Sequence, residues 1–532
     1  MCSSDLINQQ HQLAEAMQYH DKQQSIKDGM MAVKKLIEKR LNESIEEHDS
    51  QENDDADDFV PIGIANDMND LRACANKAIE EECNIEDYIS KFNEDQLRIF
   101  KKITDQIISG ETSRFFVSGP GGTGKSHLIR GLVLWNRVIR GKKTAVAAPT
   151  GIAAYNISGL TLHRLLQFPY EKEGKPVYKE LSANALKKVR ETFEDLDLII
   201  IDEVSMVSNA MLAFIHLRLQ QIFNTTNTQD GWFGKKHVVF FGDLFQLPPV
   251  DEPFAFIEVD SKTLSTRFRG LFFPNLWELL EYDELTINMR QKDDQKYYEI
   301  LSRIRLGLAT NSDIAVLQTR LIKLLPISTE QSVDMLCEYL MSLPSNTVCI
   351  FSLKRMCKVL NEAMLNKIDS EIIILNAIDE CNIKRKSDNM KKKINEVLDD
   401  DDEKNCCIAK VIKIKIGSKI MIRRNINFNA GLVTGSIATV ISVKRGKNKD
   451  IETIKVKLSD TGKEYDIERF DYQFMVTQNV FVTRRQFPIR NSYAITAHSS
   501  QGLSLDNVVA DAGNTIFADG QTYVILSRVK KK

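Results

Sequence analysis

The chain lacks the patterns that mark a metal site or a disulfide scaffold. Its nine cysteines, Cys2, Cys74, Cys83, Cys337, Cys349, Cys357, Cys381, Cys406 and Cys407, are odd in number, irregular in spacing and contain no Cys-x-x-Cys pair. They read as free thiols in a reducing compartment. Histidine is sparse too: the first 90 residues hold only His11, His20 and His48. No run approaches the about 18 apolar residues of a membrane span, and the N-terminus has no apolar leader segment, so a soluble, non-secreted protein is expected. An excess of charge is also missing. With 71 Lys and Arg against 73 Asp and Glu, the formal charge of -2 excludes an indiscriminate polycation. Any nucleic acid would have to be met by a lined channel rather than by net charge.

What the chain has is length and one organising stretch. Its 532 residues suffice for three or four domains with their own cores. From Phe115 to Arg130 it reads FFVSGPGGTGKSHLIR, a GxxxxGKS pattern between an apolar run and an amphipathic segment. Glycines there let successive backbone N–H groups turn onto phosphate oxygens. Lys125 can reach the β and γ phosphates, and the Ser126 hydroxyl can hold Mg²⁺. The expected contacts are Gly119, Gly122, Thr123, Gly124, Lys125, Ser126 and the adjoining His127. Alone, this loop says nucleoside triphosphatase or kinase and leaves the work done by hydrolysis open.

Residues 1–88 form a polar, partly helical and partly disordered prelude with an acidic tract from Glu46 to Asp58. The texture changes at Phe92, where FNEDQLRIFKKITDQI predicts a helix capped at Asn93, with Gln96, Ile99, Phe100 and Ile103 close to one face. Beyond the phosphate loop, KTAVAA at 143–148 is a buried-strand pattern ending near Thr150, and His163 follows in a run of small and hydroxyl residues. The next strand, LDLIII at 196–201, ends in Asp202 and Glu203, and HVVFF at 237–241 leads into GDLFQLPPV with Asp243 and Gln246. Strand-end acids in an open parallel sheet sit where ligands bind. Asp202 suits a Mg²⁺ shell, Glu203 a polarised water, and Gln246 contact with the γ phosphate. Arg290 closes ELTINMR without a local acid, and an NTPase needs such a cation on the transferred phosphoryl group. Tyr297 to Gly307 reads as a helix leading out of the first domain.

In the second half, Val348 to Phe351 is a short strand followed by a basic amphipathic helix, and residues 384–403 form a charged insertion. From Ala409 the period becomes two, with several short antiparallel strands that suggest a small barrel. Its lysines, with Arg423, Arg424 and Arg445, either meet a phosphate backbone or simply face water. The texture returns to α/β at FPIRNSYAITAHSSQ, from Phe487, with Thr496, His498, Ser500, Gln501 and Gly502 opening a helical turn and Arg528 ending the GQTYVILSR segment. A second domain facing the first would let Arg528 reach the nucleotide held by Lys125.

Taken together, NEDQ at 93–96, GPGGTGKS at 119–126, APTGIAA at 148–154, TLH at 161–163, IIIDEVSM at 199–206, GDLFQLPPV at 242–250, LTINMR at 285–290, GSKIMIRRN with GLVTG at 417–435, ITAHSSQGLSLD at 495–506 and GQTYVILSR at 520–528 resemble superfamily 1 DNA helicases of the Pif type, relatives of the RecD helicase subunit. The resemblance runs from about Phe92 to Val529. It implies an α/β fold of two RecA-like P-loop NTPase domains, with a small SH3-like β-barrel inserted in the second. The expected divisions are 1–88, a first domain at 89–308, the start of the second at 309–407, the β subdomain at 408–480 and the remainder at 481–532. The family pattern implies that Gln96 selects adenine, that Lys125 and Ser126 bind phosphate and Mg²⁺, that Asp202 and Glu203 serve metal and water, and that Gln246 senses the γ phosphate. Arg290 and Arg528 would be arginine fingers, Gln501 and Gly502 would border the nucleotide, and Thr150, His163, Thr496, His498 and Ser500 would line a single-strand path. The implied activity is ATP- and Mg²⁺-dependent 5′ to 3′ translocation on single-stranded DNA with duplex unwinding, by a monomer acting at single/double-strand junctions in the nucleus. G-quadruplexes and RNA–DNA hybrids are substrates of some members. Two positions depart from the pattern: Ser499 stands where a lysine is usual, and Thr434 where an asparagine is.

Overall fold

A computed structural model describes residues 84–529 except 169–176, 272, 323–328, 345, 382–408, 425, 428–429, 433–434, 447–449, 460, 478–479 and 514. Most of the polar prelude, the charged insertion and Thr434 therefore lie outside the described residues.

Six parallel strands form the first sheet: β1 (Arg114–Ser118), β2 (Lys143–Ala148), β3 (Leu160–Thr161), β4 (Leu196–Ile201), β5 (His237–Gly242) and β6 (Glu281–Glu284). Their order is β3-β2-β4-β5-β1-β6. Strands covered on both faces are apolar throughout rather than alternating. Accordingly, Phe115, Phe116 and Val117 of β1, Ile199 to Ile201 of β4 and Val238 to Phe241 of β5 have almost no exposed surface. Each such side chain contributes roughly 1.5–3 kcal/mol by leaving water. On one face they pack against the helices Glu94–Ser109 and Lys125–Val138 through Ile99, Ile103, Leu128, Ile129 and Leu132. Register aligns the strand ends, with Ser118 beside Gly242 on one side and Glu284 on the other, so three loops leave the sheet side by side.

The second half has two textures. Strand β7 (Val348–Phe351) lies between β18 (Ala494–Thr496) and β19 (Val508–Ala510) in a three-stranded parallel sheet. The helices Thr329–Ser342 and Lys354–Asn366 contribute to its core through Cys337, Leu340, Cys357 and Leu360. Cys337, Cys349 and Cys357 are buried, and burial pushes the Cys349 thiol up to about 12. Between β7 and β18 the chain forms β8 (Ile373–Asn376), β9 (Ile378–Cys381), β10 (Val411–Ile414), β11 (Lys419–Ile422), β12 (Ile437–Arg445), β13 (Ile451–Leu458), β14 (Glu464–Ile467), β15 (Phe470–Thr477), β16 (Val480–Gln486) and β17 (Ile489–Asn491). They pair in antiparallel sheets of order β14-β13-β12-β11-β17, β15-β16-β9 and β10-β8. In β13 (Ile451–Leu458), Ile454, Val456 and Leu458 turn inward while Lys455 and Lys457 turn outward, the period expected of a half-buried strand. All of these strands except β9 and β16 contribute to one core, which takes in Ile373 and Leu375 at one end of the sequence and Phe487 and Ile489 at the other. No helix among the described residues is long and apolar enough to cross a membrane.

Candidate active site

The phosphate loop is held from three directions. The helix Glu94–Ser109 opens on a capping box in which Gln96 N–H donates to Asn93 Oδ1 at 2.9 Å and Asn93 N–H to Gln96 Oε1 at 3.1 Å. That leaves Gln96 Nε2 to donate to the carbonyls of Thr123 and Gly124, at 3.3 and 3.4 Å. Gln96 thus braces the loop with the amide that the family pattern assigns to adenine. His127, one residue past the loop, sits among Tyr88 and Phe92, with the Tyr88 hydroxyl 2.9 Å from Nδ1. From the loop after β6, Asn288 Nδ2 donates to Gly121 O at 3.0 Å and Met289 N–H to Gly122 O at 2.8 Å. Gly122 has φ +93°, and a Cβ there would lie 2.5 Å from Arg290 Cβ, so both backbone conformation and space require glycine. Gly124, at φ +82°, would clash with Gln96 in the same way. Within the loop, Thr123 Oγ1 donates to Pro120 O at 2.9 Å, and Lys125 Nζ to Gly119 O at 2.6 Å and Pro120 O at 3.3 Å. Ser126 begins the Lys125–Val138 helix.

The acids emerge at the same edge. Asp202 and Glu203 follow β4, are buried, and are joined by Glu203 N–H donating to Asp202 Oδ1 at 2.8 Å. Glu203 is in the left-handed region at φ +53°, an uncommon conformation for a residue with a side chain. Burial raises the Asp202 pKa, the Glu203 charge raises it further, and Lys125 opposes both. After β5, Asp243 is fully enclosed and accepts from Phe245 N–H at 3.2 Å and Gln246 Nε2 at 3.4 Å. Gln246 Oε1 is buried without a hydrogen-bond partner among the described residues. Burial alone would raise the Asp243 carboxyl, but Arg305, which bonds both its oxygens, holds it below the usual range.

Residues from the C-terminal segment complete the edge. Gln501 Nε2 donates to Glu203 Oε2 and Ser205 Oγ, each at 3.2 Å. Asn156 Nδ2 donates to Gly502 O at 2.9 Å, and a Cβ built on Gly502 would lie 3.7 Å from Ala153 Cα. Arg290 Nη1 donates to Ser527 O at 2.9 Å. Arg528 is 2% exposed and bonded to the carbonyls of Val524, Ser500 and Leu503 and to Ser527 Oγ. Burial and the neighbouring Arg290 charge lower its pKa to about 10, with Glu203, Tyr523 and Asp243 acting the other way. Burial lowers Arg290 as well, against Tyr523 and Glu203. A phosphoryl group is the kind of anion that relieves two desolvated cations held on carbonyls.

The donor set fits a hydrated Mg²⁺ bound to a nucleotide. No three His, Cys, Asp or Glu side chains among the described residues form a metal cage, and Mg²⁺ commonly needs only one or two carboxylates, its other ligands being phosphates and water. Asp202, whose charge is costly where it lies, and Ser126 would hold it.

The residues expected along a single-strand path are less uniform. Thr150 Oγ1 accepts from Ala153 N–H at 3.3 Å, and Thr496 Oγ1 from Ser499 N–H at 3.2 Å, so both cap short helices. His163 lies edge-on to Phe168 at 5.6 Å, and burial lowers its pKa to about 4, leaving it neutral at pH 7. His498 stacks on Phe517 at 6.2 Å. Ser500 is wholly buried, its hydroxyl donating to Ala497 O at 2.7 Å. At Ser499, the position of the usual lysine, the Arg490 guanidinium donates to Oγ at 3.3 Å.

Two residues were not anticipated from the sequence. Arg305, at the end of the Gln295–Arg305 helix, meets Asp243 across 62 positions, with no local pattern to announce it. Tyr523 lies inside GQTYVILSR, and its hydroxyl accepts from Gly121 N–H at 3.0 Å. Its place in the same short helix as Arg528's carbonyl partner Val524 was the available signal.

Comparison with known proteins bears on this geometry. A family model described as PIF1-like helicase matches residues 91–313. An ATP-dependent DNA helicase PIF1 of Xenopus laevis is 27% identical over 430 residues, covering 80% of this chain but 59% of that protein, so the chain spans about three fifths of that relative. An ATP-dependent DNA helicase Pif1 of Campylobacter jejuni is 28% identical over 427 residues, covering 78% of this chain and 86% of that one. Among solved structures, Pif1 helicase from Candida albicans shares the fold with a TM-score of 0.61 at 24% identity, over 83% of this chain and 93% of that one. Pif1 helicase from Bacteroides, in complex with ADP-AlF3 and ssDNA, has a TM-score of 0.59 at 25% identity, over 82% and 90%.

Proposed function

We propose that this chain is a PIF1-like helicase, an ATP-dependent DNA helicase that moves 5′ to 3′ along single-stranded DNA and separates duplex ahead of it. The observation that carries the reading is the meeting of two sets of residues at one sheet edge. Lys125, Asp202, Glu203 and Gln246 come from the first domain, and Gln501 and Arg528 from the C-terminal segment, with Gln501 bonded directly to Glu203. A site assembled from two lobes is completed when they close, and closure tied to hydrolysis can advance a strand.

In this reading the phosphate loop and Lys125 hold the β and γ phosphates, and Ser126 and Asp202 hold Mg²⁺. The metal, when bound, neutralises phosphate charge and stabilises the leaving oxygen. Glu203 takes the proton of the attacking water, Gln246 contacts that water or the γ phosphate, and Arg290 and Arg528 bear on the transferred group. The antiparallel sheets correspond to an SH3-like subdomain within the second RecA-like domain. Single-stranded DNA and single/double-strand junctions are the partners of an active monomer, and G-quadruplexes and RNA–DNA hybrids are further substrates to assay. The test pairs DNA-stimulated ATP hydrolysis with unwinding of 5′- and 3′-tailed duplexes. Stimulated turnover with unwinding from the 5′ tail is expected. Stimulation with no unwinding from either tail would leave a DNA-dependent ATPase switch and remove the helicase.

A further inference from the structure

Tyr523 stands at the centre of the inter-lobe contact. It is 4% exposed, and its ring packs with Tyr297 and Leu301 of the Gln295–Arg305 helix. The hydroxyl oxygen accepts from Gly121 N–H at 3.0 Å, on the phosphate loop. Among the described residues, the hydroxyl's own proton meets no acceptor. A buried phenol proton without an acceptor is costly, and Tyr523 is held well above the usual phenol range by burial and by Asp243, so that proton stays in place.

Three donors converge where Gly121 has no side chain. A Cβ built there would lie 3.6 Å from Tyr523 Oη, 3.7 Å from Arg290 Nη1 and 3.9 Å from Arg528 Nη2. Among the described residues the two guanidiniums make no ion pair, only bonds to carbonyls and to the Ser527 hydroxyl. One polar proton and two cations gathered beside a phosphate loop match an anion with several acceptor oxygens, and a transferring phosphoryl group is such an anion. Glycine at 121 keeps that space open.

We propose that Tyr523 is a third phosphoryl-contacting residue, its hydroxyl donating a hydrogen bond to a γ-phosphoryl oxygen beside Arg290 and Arg528 while fixing the C-terminal lobe on Gly121. No proton is transferred by the tyrosine. The assignment rests on the nucleotide-hydrolysing reading above and adds a residue to its site. Because the hydroxyl meets only the γ position, its loss affects states that carry a γ-phosphoryl group and spares ADP.

The experiment compares wild type with Tyr523→Phe, which keeps the packed ring and removes only the hydroxyl. Calorimetry with Mg·ADP, and with Mg·ADP plus aluminium fluoride, is combined with steady-state ATPase kinetics on single-stranded DNA. ADP affinity is expected to stay within about twofold, while affinity for the aluminium fluoride complex and kcat each fall about tenfold and KM for ATP changes little. Equal behaviour of variant and wild type overturns the assignment. So does an equal loss of affinity for both nucleotides, which would make Tyr523 a packing residue. Lys125→Ala separates the two levels of the argument: if wild type hydrolyses ATP and this variant does not, a silent Tyr523→Phe rejects the tyrosine alone. A wild type without DNA-stimulated hydrolysis rejects the whole reading and the tyrosine with it.

Discussion

Arg305 grips Asp243 with two nitrogens, Nη2 at 2.7 Å from Oδ1 and Nε at 3.0 Å from each oxygen, in a pair whose carboxylate has no exposed surface. Asp243 in turn accepts from Gln246 Nε2, so the arginine sets the loop that carries Gln246, the proposed γ-phosphate contact. The Arg305 guanidinium also lies 4.6 Å from the Phe245 ring centroid. Breaking a buried pair from one side leaves an uncompensated charge. Arg305→Ala is therefore expected to lower unfolding free energy by about 3–5 kcal/mol in urea titrations. Arg305→Lys should recover only part of this, because a lysine cannot reproduce the planar two-pronged contact. An unchanged urea midpoint in Arg305→Ala would show that Asp243 is held by something else.

That pair also marks where the sequence stops being informative. Strand-ending acids are legible because a buried parallel strand is an unbroken apolar run and its end is a change of chemistry, as at Ile201–Asp202. The phosphate loop is legible because Gly122 and Gly124 need positive φ and space that only glycine supplies. Arg305 gives no such signal: its partner is remote in sequence, and an arginine near a helix end is ordinary. Gln96 is the opposite case. The cap at Asn93 was readable from its spacing, but the second use of the same side chain, bracing Thr123 and Gly124, depends on how the helix meets the loop. Ser500 shows a further limit, since a serine in a polar run reads as a surface donor and here is buried, its hydroxyl donating to Ala497 O.

Lys125 and Arg290 should separate binding from chemistry. Lys125→Ala is expected to abolish ATP turnover while single-stranded DNA binding remains measurable by fluorescence anisotropy. Arg290→Ala should keep nucleotide affinity and lose turnover by about 10²–10³-fold, the scale of removing one preorganised donor from a developing charge. A normal turnover rate in the lysine variant would reject the phosphate-loop assignment, and one in the arginine variant would take Arg290 out of the site.

Gln501 offers a test of whether the lobe contact matters to hydrolysis. It is 2% exposed, and its amide donates to Glu203 Oε2 and Ser205 Oγ. Gln501→Ala deletes those bonds. Gln501→Glu puts a second carboxylate against Glu203, the proposed general base, in a poorly solvated place where two like charges oppose each other's ionisation. DNA-stimulated kcat should fall in both variants and further in the glutamate, by about tenfold more. The glutamate variant should also regain rate as pH rises. Equal, pH-independent rates for the two would mean that Glu203 does not feel the contact.

His216 predicts how the first domain responds to acid. It is 2% exposed on the Asn209–Phe223 helix, its Nδ1 accepts from Phe233 N–H at 3.2 Å, and the Trp232 ring lies 5.3 Å away. Burial, helped by Arg114, lowers its pKa from 6.5 to about 4. Between those values the unfolded chain binds a proton that the folded one refuses, so stability is full above about pH 6.5 and declines as pH falls towards about 4. At pH 5 the loss from this one group is about 2 kcal/mol. Urea unfolding at pH 7 and pH 5 can isolate it by comparison with His216→Asn, whose amide oxygen can still accept from Phe233. That variant is less stable at pH 7 through lost ring packing, but its decline between the two pH values should be smaller by about 2 kcal/mol. If wild type and variant decline in parallel, His216 is protonated in the folded state and its bond from Phe233 is not what holds this part of the domain.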